Sequence, residues 1–343
     1  MTIRIGVPAL AALLAAGLAA GCDAGGKRGA ADKAGGPSAP TVLRLADSDA
    51  VEQPDTPAIK YFAAQVAKLS RGAVRIRITF AAAGDKVPDV EPRTARLVRE
   101  GKFDLGWIGA RAWDELGVKS FQALQAPLLI TDYTLLDKVA TSRLTDEMLA
   151  GLKSQGVVGL ALVPDLLRHP VGLKGPLVSL ADFARARVRV QPSRASDALM
   201  TAFGAAPVEV SNSEIGAAIA HGRIDGEELS LGNAPGGSTV TANITFFGKT
   251  LTLFAARRSY ERLTDEQRQI LRTAAERTLR HVVANPPSES ALARRFCVDG
   301  RIVLASKSEL VQLVRASQPV YSQLERDPHT KALVASIRTM KTT

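Results

Sequence analysis

The alternation of two periods along the chain most constrains its fold. "VRIRITF" sets Val74, Ile76, Ile78 and Phe80 against Arg75, Arg77 and Thr79, the two-residue rhythm of a strand with one buried face. Before it, "TPAIKYFAAQVAKLS" lines up Ile59, Phe62, Ala63, Val66 and Leu69 on one helical stripe, with Thr56 as N-cap and Pro57 at the first helical position. "VLRLAD", from Val42 to Asp47, and "FDLGWIG", from Phe103 to Gly109, add strands, with the helical "EPRTARLVREGK" ahead of the second. Such alternation predicts an α/β fold with a parallel-type sheet, helices on its faces and a ligand crevice beyond the strand ends.

The pattern continues through a strand at Val157 to Pro164, a short helix begun by Ser179, and the strand "RVRVQP". Two helices follow, "SRASDALMTAFG" ended by Gly204 and "SEIGAAIAHG" ended by Gly222. Thr264 and Gln267 spell a capping box at the head of the long "DEQRQILRTAAERTLRHVVA", and Ser306 with Glu309 caps another helix. This mostly helical last third suits a chain that crosses between two lobes more than once.

The N-terminus has a separate logic. Arg4 precedes an apolar run, Val7 to Ala20, which is shorter than the roughly 20 residues of a membrane-spanning helix and reads as a secretory signal. "LAAGC" resembles a bacterial lipobox, which implies removal of residues 1–21 and acylation of Cys22. "DAGGKRGAADKAGGPSAP" then has nothing to bury and reads as a flexible tether over residues 22–40. The only other cysteine is Cys297, so a lipidated Cys22 leaves no intramolecular disulfide. No second run reaches spanning length, and membrane attachment therefore rests on the lipid. The net charge of +10 comes from scattered arginines with few aromatics and no recognition motif, which fits a solvated basic surface and no nucleic-acid partner.

Signs of catalysis are missing. His169, His221, His281 and His329 are far apart and make no zinc spacing. No G-x-S-x-G elbow or dinucleotide fingerprint occurs, and "FFGKT" lacks the upstream glycine of a P-loop because Asn243 stands there. No enzyme, cofactor or metal site is expected. What remains is arginine near strand ends. In "RVRVQP", Arg187 and Arg189 alternate with Val188 and Val190. A guanidinium at a rigid strand end makes a bidentate carboxylate clamp, although the local pattern alone favours the plainer reading of a solvated strand face.

The order of segments carries more than any single one. "SLADFARARVRVQPSRASDALMTAFGAAPVEVSNSEIGAAIAHGRIDGEE", Ser179 to Glu228, resembles the core of the solute-binding proteins of tripartite ATP-independent periplasmic (TRAP) transporters, of the C4-dicarboxylate-binding type. "LVREGKFDLGW", "LQAPLLITDY" and "YERLTDEQRQILRTAAE" are similar to other segments of that family. The resemblance implies a two-lobed periplasmic-binding-protein-like (Venus flytrap) fold with a hinge and a long late helix. Lobe I would take residues 41–165 plus 255–294, and lobe II 166–254 plus 295–343. It further implies an extracytoplasmic lipoprotein that closes on a small carboxylate and delivers it to TRAP-type integral membrane subunits. A sensing receptor of the same fold, an extracytoplasmic enzyme on this scaffold, and an adhesive lipoprotein are the alternatives.

In that family the arginine of an Arg-Val-Pro segment binds the ligand carboxylate, and by position this is Arg189, with Gln191 inserted before Pro192. Arg168 in "LLRHP" matches a second family arginine. The chain departs from the pattern at "DGEEL", where Leu229 stands in place of a common asparagine and Asn233 is a substitute candidate. Asn212 takes the place of a ligand-packing aromatic. Trp107, Trp113 and Tyr133 are cleft candidates from the first lobe, Trp107 foremost, against the simpler reading that an aromatic after a strand is core.

Overall fold

The computed structural model describes residues 39–342; the signal segment, Cys22 and most of the tether lie outside the described residues. The described residues form ten strands: β1 (Thr41–Asp47), β2 (Val74–Thr79), β3 (Leu105–Gly109), β4 (Val157–Gly172), β5 (Arg187–Arg189), β6 (Ala206–Val208), β7 (Gly226–Leu229), β8 (Thr239–Thr241), β9 (Phe247–Ala256) and β10 (Arg301–Val303). They run in the order β2-β1-β3-β9-β4-β7-β5-β6, with β8 beside β4 and β10 beside β8.

The sheet is mixed where strand–helix alternation alone suggested parallel. β1 is parallel to β2 and β3, and β5 to β6 and β7. β9, however, runs antiparallel to both β3 and β4. It returns late in the chain and slots between strands laid down much earlier. β4 reaches Gly172, eight residues beyond its expected end at Pro164. Its first part pairs with β9 and its end with β7 and β8, with register shifts between Gly159 and Ala161 and between Pro164 and Leu167. Prolines lack the ladder N–H and cluster at bulges, which is why the continuation carries no clear strand signal. β4 and β9 thereby join two groups of strands, β1 to β3 and β5 to β7.

Local chemistry explains most helix ends. Ser179, Thr264 and Ser306 each complete a capping box, with Asp182, Gln267 and Glu309. Gly204 and Gly222 close their helices at φ 81° and 61°, a region where side chains bearing a Cβ are strained. The helix Thr56–Leu69 begins one residue earlier than the sequence suggests. Asp55 occupies its N-cap position without capping it, because its carboxylate is taken by Trp107, whose Nε1 donates to Oδ2 at 2.8 Å. That helix and the long Asp265–Ala284 cover one sheet face through a core of Leu45, Ile59, Phe62, Leu253 and Leu271. The last helix, Pro328–Thr342, packs on the segment Lys119–Gln125 and the helix Tyr133–Ala140.

Candidate ligand-binding site

β5 is only three residues long, yet it separates its two arginines cleanly. Arg187 turns toward Asp225 and holds it bidentately, Nε to Oδ2 at 2.9 Å and Nη2 to Oδ1 at 3.0 Å; these bonds keep the Asp225 carboxyl well below the usual range. Arg189, two residues on along the same face, is 3% exposed. Its Nε donates to the Val210 carbonyl at 3.1 Å and its Nη2 to Asn212 Oδ1 at 2.8 Å. No carboxylate of the described residues lies at ion-pair distance from it.

Arg189 opens on a cavity of about 370 Å³ between the two strand groups. Arg111, Arg168 and Lys249 also reach it, as do the carboxylates Asp49 and Glu227. Arg111 follows β3 at the C-terminal end of a parallel strand, where α/β sheets commonly place ligand groups. Its Nη2 meets Glu91 Oε2 at 2.6 Å, while its Nε and Nη1 are buried without a hydrogen-bond partner. Gly109 makes room for this pair, because a Cβ there would lie 2.5 Å from Glu91 Oε1. Arg168, from the second half of β4, faces Glu228 at 3.9 Å, and its Nε is also unpartnered. Burial depresses both Arg168 and Arg189 below the ordinary guanidinium range.

Lys249 differs. Its Nζ lies 2.9 Å from Asp165 and 3.5 Å from Asp49. Burial alone would depress its pKa, but Asp165 and Asp49 more than offset this and hold it above the ordinary lysine range. Nearby, burial pushes Asp47 up to about 9 and Asp55 up to about 7.

Four of the residues singled out in the sequence, Arg189, Arg168, Asn212 and Asn233, line this one cavity. Asn233 Nδ2 donates to Gln53 Oε1 at 3.4 Å, spanning from the turn after β7 to the loop after β1. Ser213 makes a second bridge, through N and Oγ to the Asp85 carbonyl at 3.1 and 3.0 Å. Trp107 is placed elsewhere. It is fully buried between β1 and β9, within the core beside Ile59 and Phe62, its indole N–H spent on Asp55. Trp113 donates to Thr252 Oγ1 at 2.8 Å and Tyr133 to Glu289 Oε1 at 2.8 Å, and neither lines the cavity. Sequence reasoning did not select Arg111, Lys249, Asp49 or Glu227. Lys249 sits inside the very "FFGKT" weighed as a phosphate loop; it is a strand residue paired to carboxylates.

A wider groove of about 650 Å³ is also basic, but its arginines are occupied: Arg257 Nη2 on the Lys153 carbonyl, Arg268 Nη1 on that of Leu263 and Arg272 Nε on the Tyr260 hydroxyl, each at 2.7 Å. Among the described residues no group of side chains has metal-site spacing, and no helix is long and apolar enough to cross a membrane.

A mixed sheet joined through two long strands thus frames a small polar cavity lined by buried arginines. The sequence profile described as bacterial extracellular solute-binding protein, family 7 (DctP) matches residues 45–327. The chain belongs to that family. It is 32% identical over 113 residues to the C4-dicarboxylate-binding periplasmic protein DctP of Rhodobacter capsulatus, a match spanning about a third of each chain (33% and 34%). It is 23% identical over 311 residues to the uncharacterized protein YiiZ of Salmonella typhimurium, covering 88% of this chain and 92% of that one. Solved structures share the fold. A TRAP periplasmic solute-binding protein of Xanthobacter autotrophicus Py2 with bound β-D-galacturonate gives a TM-score of 0.75 at 21% identity over 87% of this chain and 99% of its own. One of Polaromonas sp. JS666 bound to D-erythronate gives 0.75 at 19% identity, over 87% and 98%.

Proposed function

We propose that this chain is the receptor of a TRAP-type transporter: it captures a small hydroxylated organic acid in the Arg189 cavity and presents it to a membrane permease. One observation carries the reading. Arg189 is a buried cation whose hydrogen bonds go to neutral oxygens alone, with Glu227 beside it but beyond ion-pair distance, so a ligand carboxylate would supply a direct ion pair. Arg111 and Arg168, with buried N–H groups lacking partners, add donors of the same kind. A buried donor without an acceptor costs about 1–3 kcal/mol, which a bound acid would recover. The galacturonate and erythronate held by the two solved relatives support an acid with hydroxyls, and the mixture of arginine and carboxylate in the cavity suits both ends of such a molecule. Closure of two lobes about β4 and β9, with the Asn233–Gln53 and Ser213–Asp85 bridges as latches, would exclude water and strengthen the ion pair.

The lipobox reading of Cys22 supports attachment to the outer face of the cell membrane by an acyl chain. A Cys22→Ser protein is then released to the soluble fraction with its binding intact.

The test of function is mass spectrometry of small molecules that copurify, followed by calorimetry with aldonates, uronates and C4-dicarboxylates. An acid bound at micromolar affinity or better is expected. A protein whose melting temperature no acid raises is not this receptor, since a ligand that binds only the folded state stabilises it by mass action.

A further inference from the structure

Glu227 has no place in the clamp just described, yet it is 1% exposed and lines the same cavity. β5 and β7 are parallel neighbours, and Arg189 is the direct register partner of Glu227. Side chains of directly opposed residues on adjacent strands stand side by side on one face. Glu227 Oε1 is buried and has no hydrogen-bond partner. The strand therefore sets an unmet acceptor beside the cation that would anchor a carboxylate. A ligand that filled only the donors would leave this oxygen unsatisfied and would set its own anionic group next to it. A ligand carrying a hydroxyl close to its carboxylate would satisfy both, the carboxylate accepting from Arg189 and the hydroxyl donating to Glu227. An acidic side chain accepts such a bond through Oε1 in either protonation state.

Resting on the acid-receptor reading above, we propose that Glu227 is a specificity-determining residue that accepts a hydrogen bond from a hydroxyl on the second or third carbon of the ligand, so that the protein selects hydroxy acids over their deoxy counterparts. The neighbouring carboxylates and Asn212 do not supply this acceptor. Glu228 Oε2 accepts from Ser196 Oγ at 3.0 Å, and although its Oε1 is also unpartnered, Glu228 does not line the cavity. Asp49 is drawn toward Lys249, and Asn212 Oδ1 is spent on Arg189.

The experiment is calorimetry with erythronate and galactonate against their 2-deoxy and 3-deoxy analogues, on the wild-type protein and on Glu227→Leu and Glu227→Gln. A site built around a hydroxyl rejects the analogue that lacks it, so removal of one of the two hydroxyls should weaken wild-type binding at least about tenfold. Glu227→Leu should reduce that ratio to about threefold or less, and Glu227→Gln, which keeps an acceptor oxygen, should fall between. Deoxy acids that bind the wild type as tightly as their parents overturn the proposal without any variant having to fold. A ratio that survives in folded Glu227→Leu assigns the hydroxyl to another residue and overturns it equally. If the wild type binds none of these acids nor any C4-dicarboxylate, the acid-receptor reading itself falls.

Discussion

The two basic corners of the cavity are built on opposite principles. At the β9 corner, Lys249 lies against Asp165 and Asp49, with Asp47 and Asp55 close behind, so carboxylates outnumber the cation. At the β5 corner, Arg189 is held by a carbonyl and an amide oxygen, and the cation is left without a carboxylate at ion-pair distance. Both side chains are buried and both line the same space. A buried charge that is internally paired belongs to the architecture, whereas one hydrogen-bonded only to neutral oxygens still has room for a direct ion pair. Stability should therefore reside mainly in the first corner and affinity in the second.

Exchange of the two cations for methionine tests this division most severely. Lys249→Met leaves the buried carboxylate of Asp165 and the half-buried one of Asp49 without their counter-charge, and breaking a buried pair in this way costs about 3–5 kcal/mol. The melting temperature should fall by roughly 10 °C. Arg189→Met should lower the melting temperature less than Lys249→Met does, because Glu227 beside it is not at ion-pair distance, while ligand affinity falls about 30-fold or more, as when one member of a buried charged pair is truncated. Calorimetry and thermal melting on both variants read the two effects separately. The reverse pattern, an unfolded Arg189→Met beside a normally stable Lys249→Met, would break the comparison.

A second test uses pH. Burial raises Asp47 to about 9 and Asp55 to about 7, against about 3.9 in an unfolded chain. Between those values the folded state binds more protons than the unfolded one, so stability decreases as pH rises. Asp55 contributes this slope from about 4 to 7 and Asp47 from about 4 to 9. Asp225 acts with the opposite sign: its carboxyl is depressed by the Arg187 bonds, so its contribution is present at neutral pH and lost as acid protonates it. Melting temperature should therefore be highest near pH 4 and several degrees lower by pH 8.5. Asp47→Asn, which keeps an oxygen for the Asp49 amide, should flatten the alkaline part of the curve. A melting temperature that rises steadily from pH 5 to 8.5 contradicts the assignment.

The same contrast explains what could be read from the sequence. Arg189 was accessible because its signal is local: a two-residue period puts Arg187 and Arg189 on one face of a short strand against Val188 and Val190, and family order singles out the second. Capping boxes at Ser179, Thr264 and Ser306 are local too, and each appears where its residues stand. Trp107 shows the limit of that logic. Its position after a strand start fits either cleft or core, and only the later helix Asp265–Ala284 and strand β9, which close over it, decide for core. Lys249 and Arg111 reach the cavity because β9 inserts between β3 and β4, a pairing across more than 130 residues. No local pattern announces such a contact. β4 was truncated in expectation for a related reason, since Pro164 and Pro170 interrupt the amide ladder where the strand passes from one group to the other.

The smallest expected effect concerns how Arg189 is aimed. Asn212 Oδ1 accepts from Nη2 at 2.8 Å, and the Val210 carbonyl accepts from Nε. The carbonyl is part of the backbone and stays in any variant, so Asn212→Ala removes one of two supports. Asn212 is exposed, so its contribution belongs near 1 kcal/mol, the value of an ordinary hydrogen bond and below that of a buried one to a charged group. Affinity for the acid should fall about fivefold to tenfold with no measurable change in melting temperature. The guanidinium would keep its charge but lose part of the orientation that makes its fork bidentate, so the loss should exceed that from removing a mere rim contact. Tighter binding by Asn212→Ala would mean that the amide competes with the ligand for Nη2, and Arg189 would then be a restrained cation that the ligand must release.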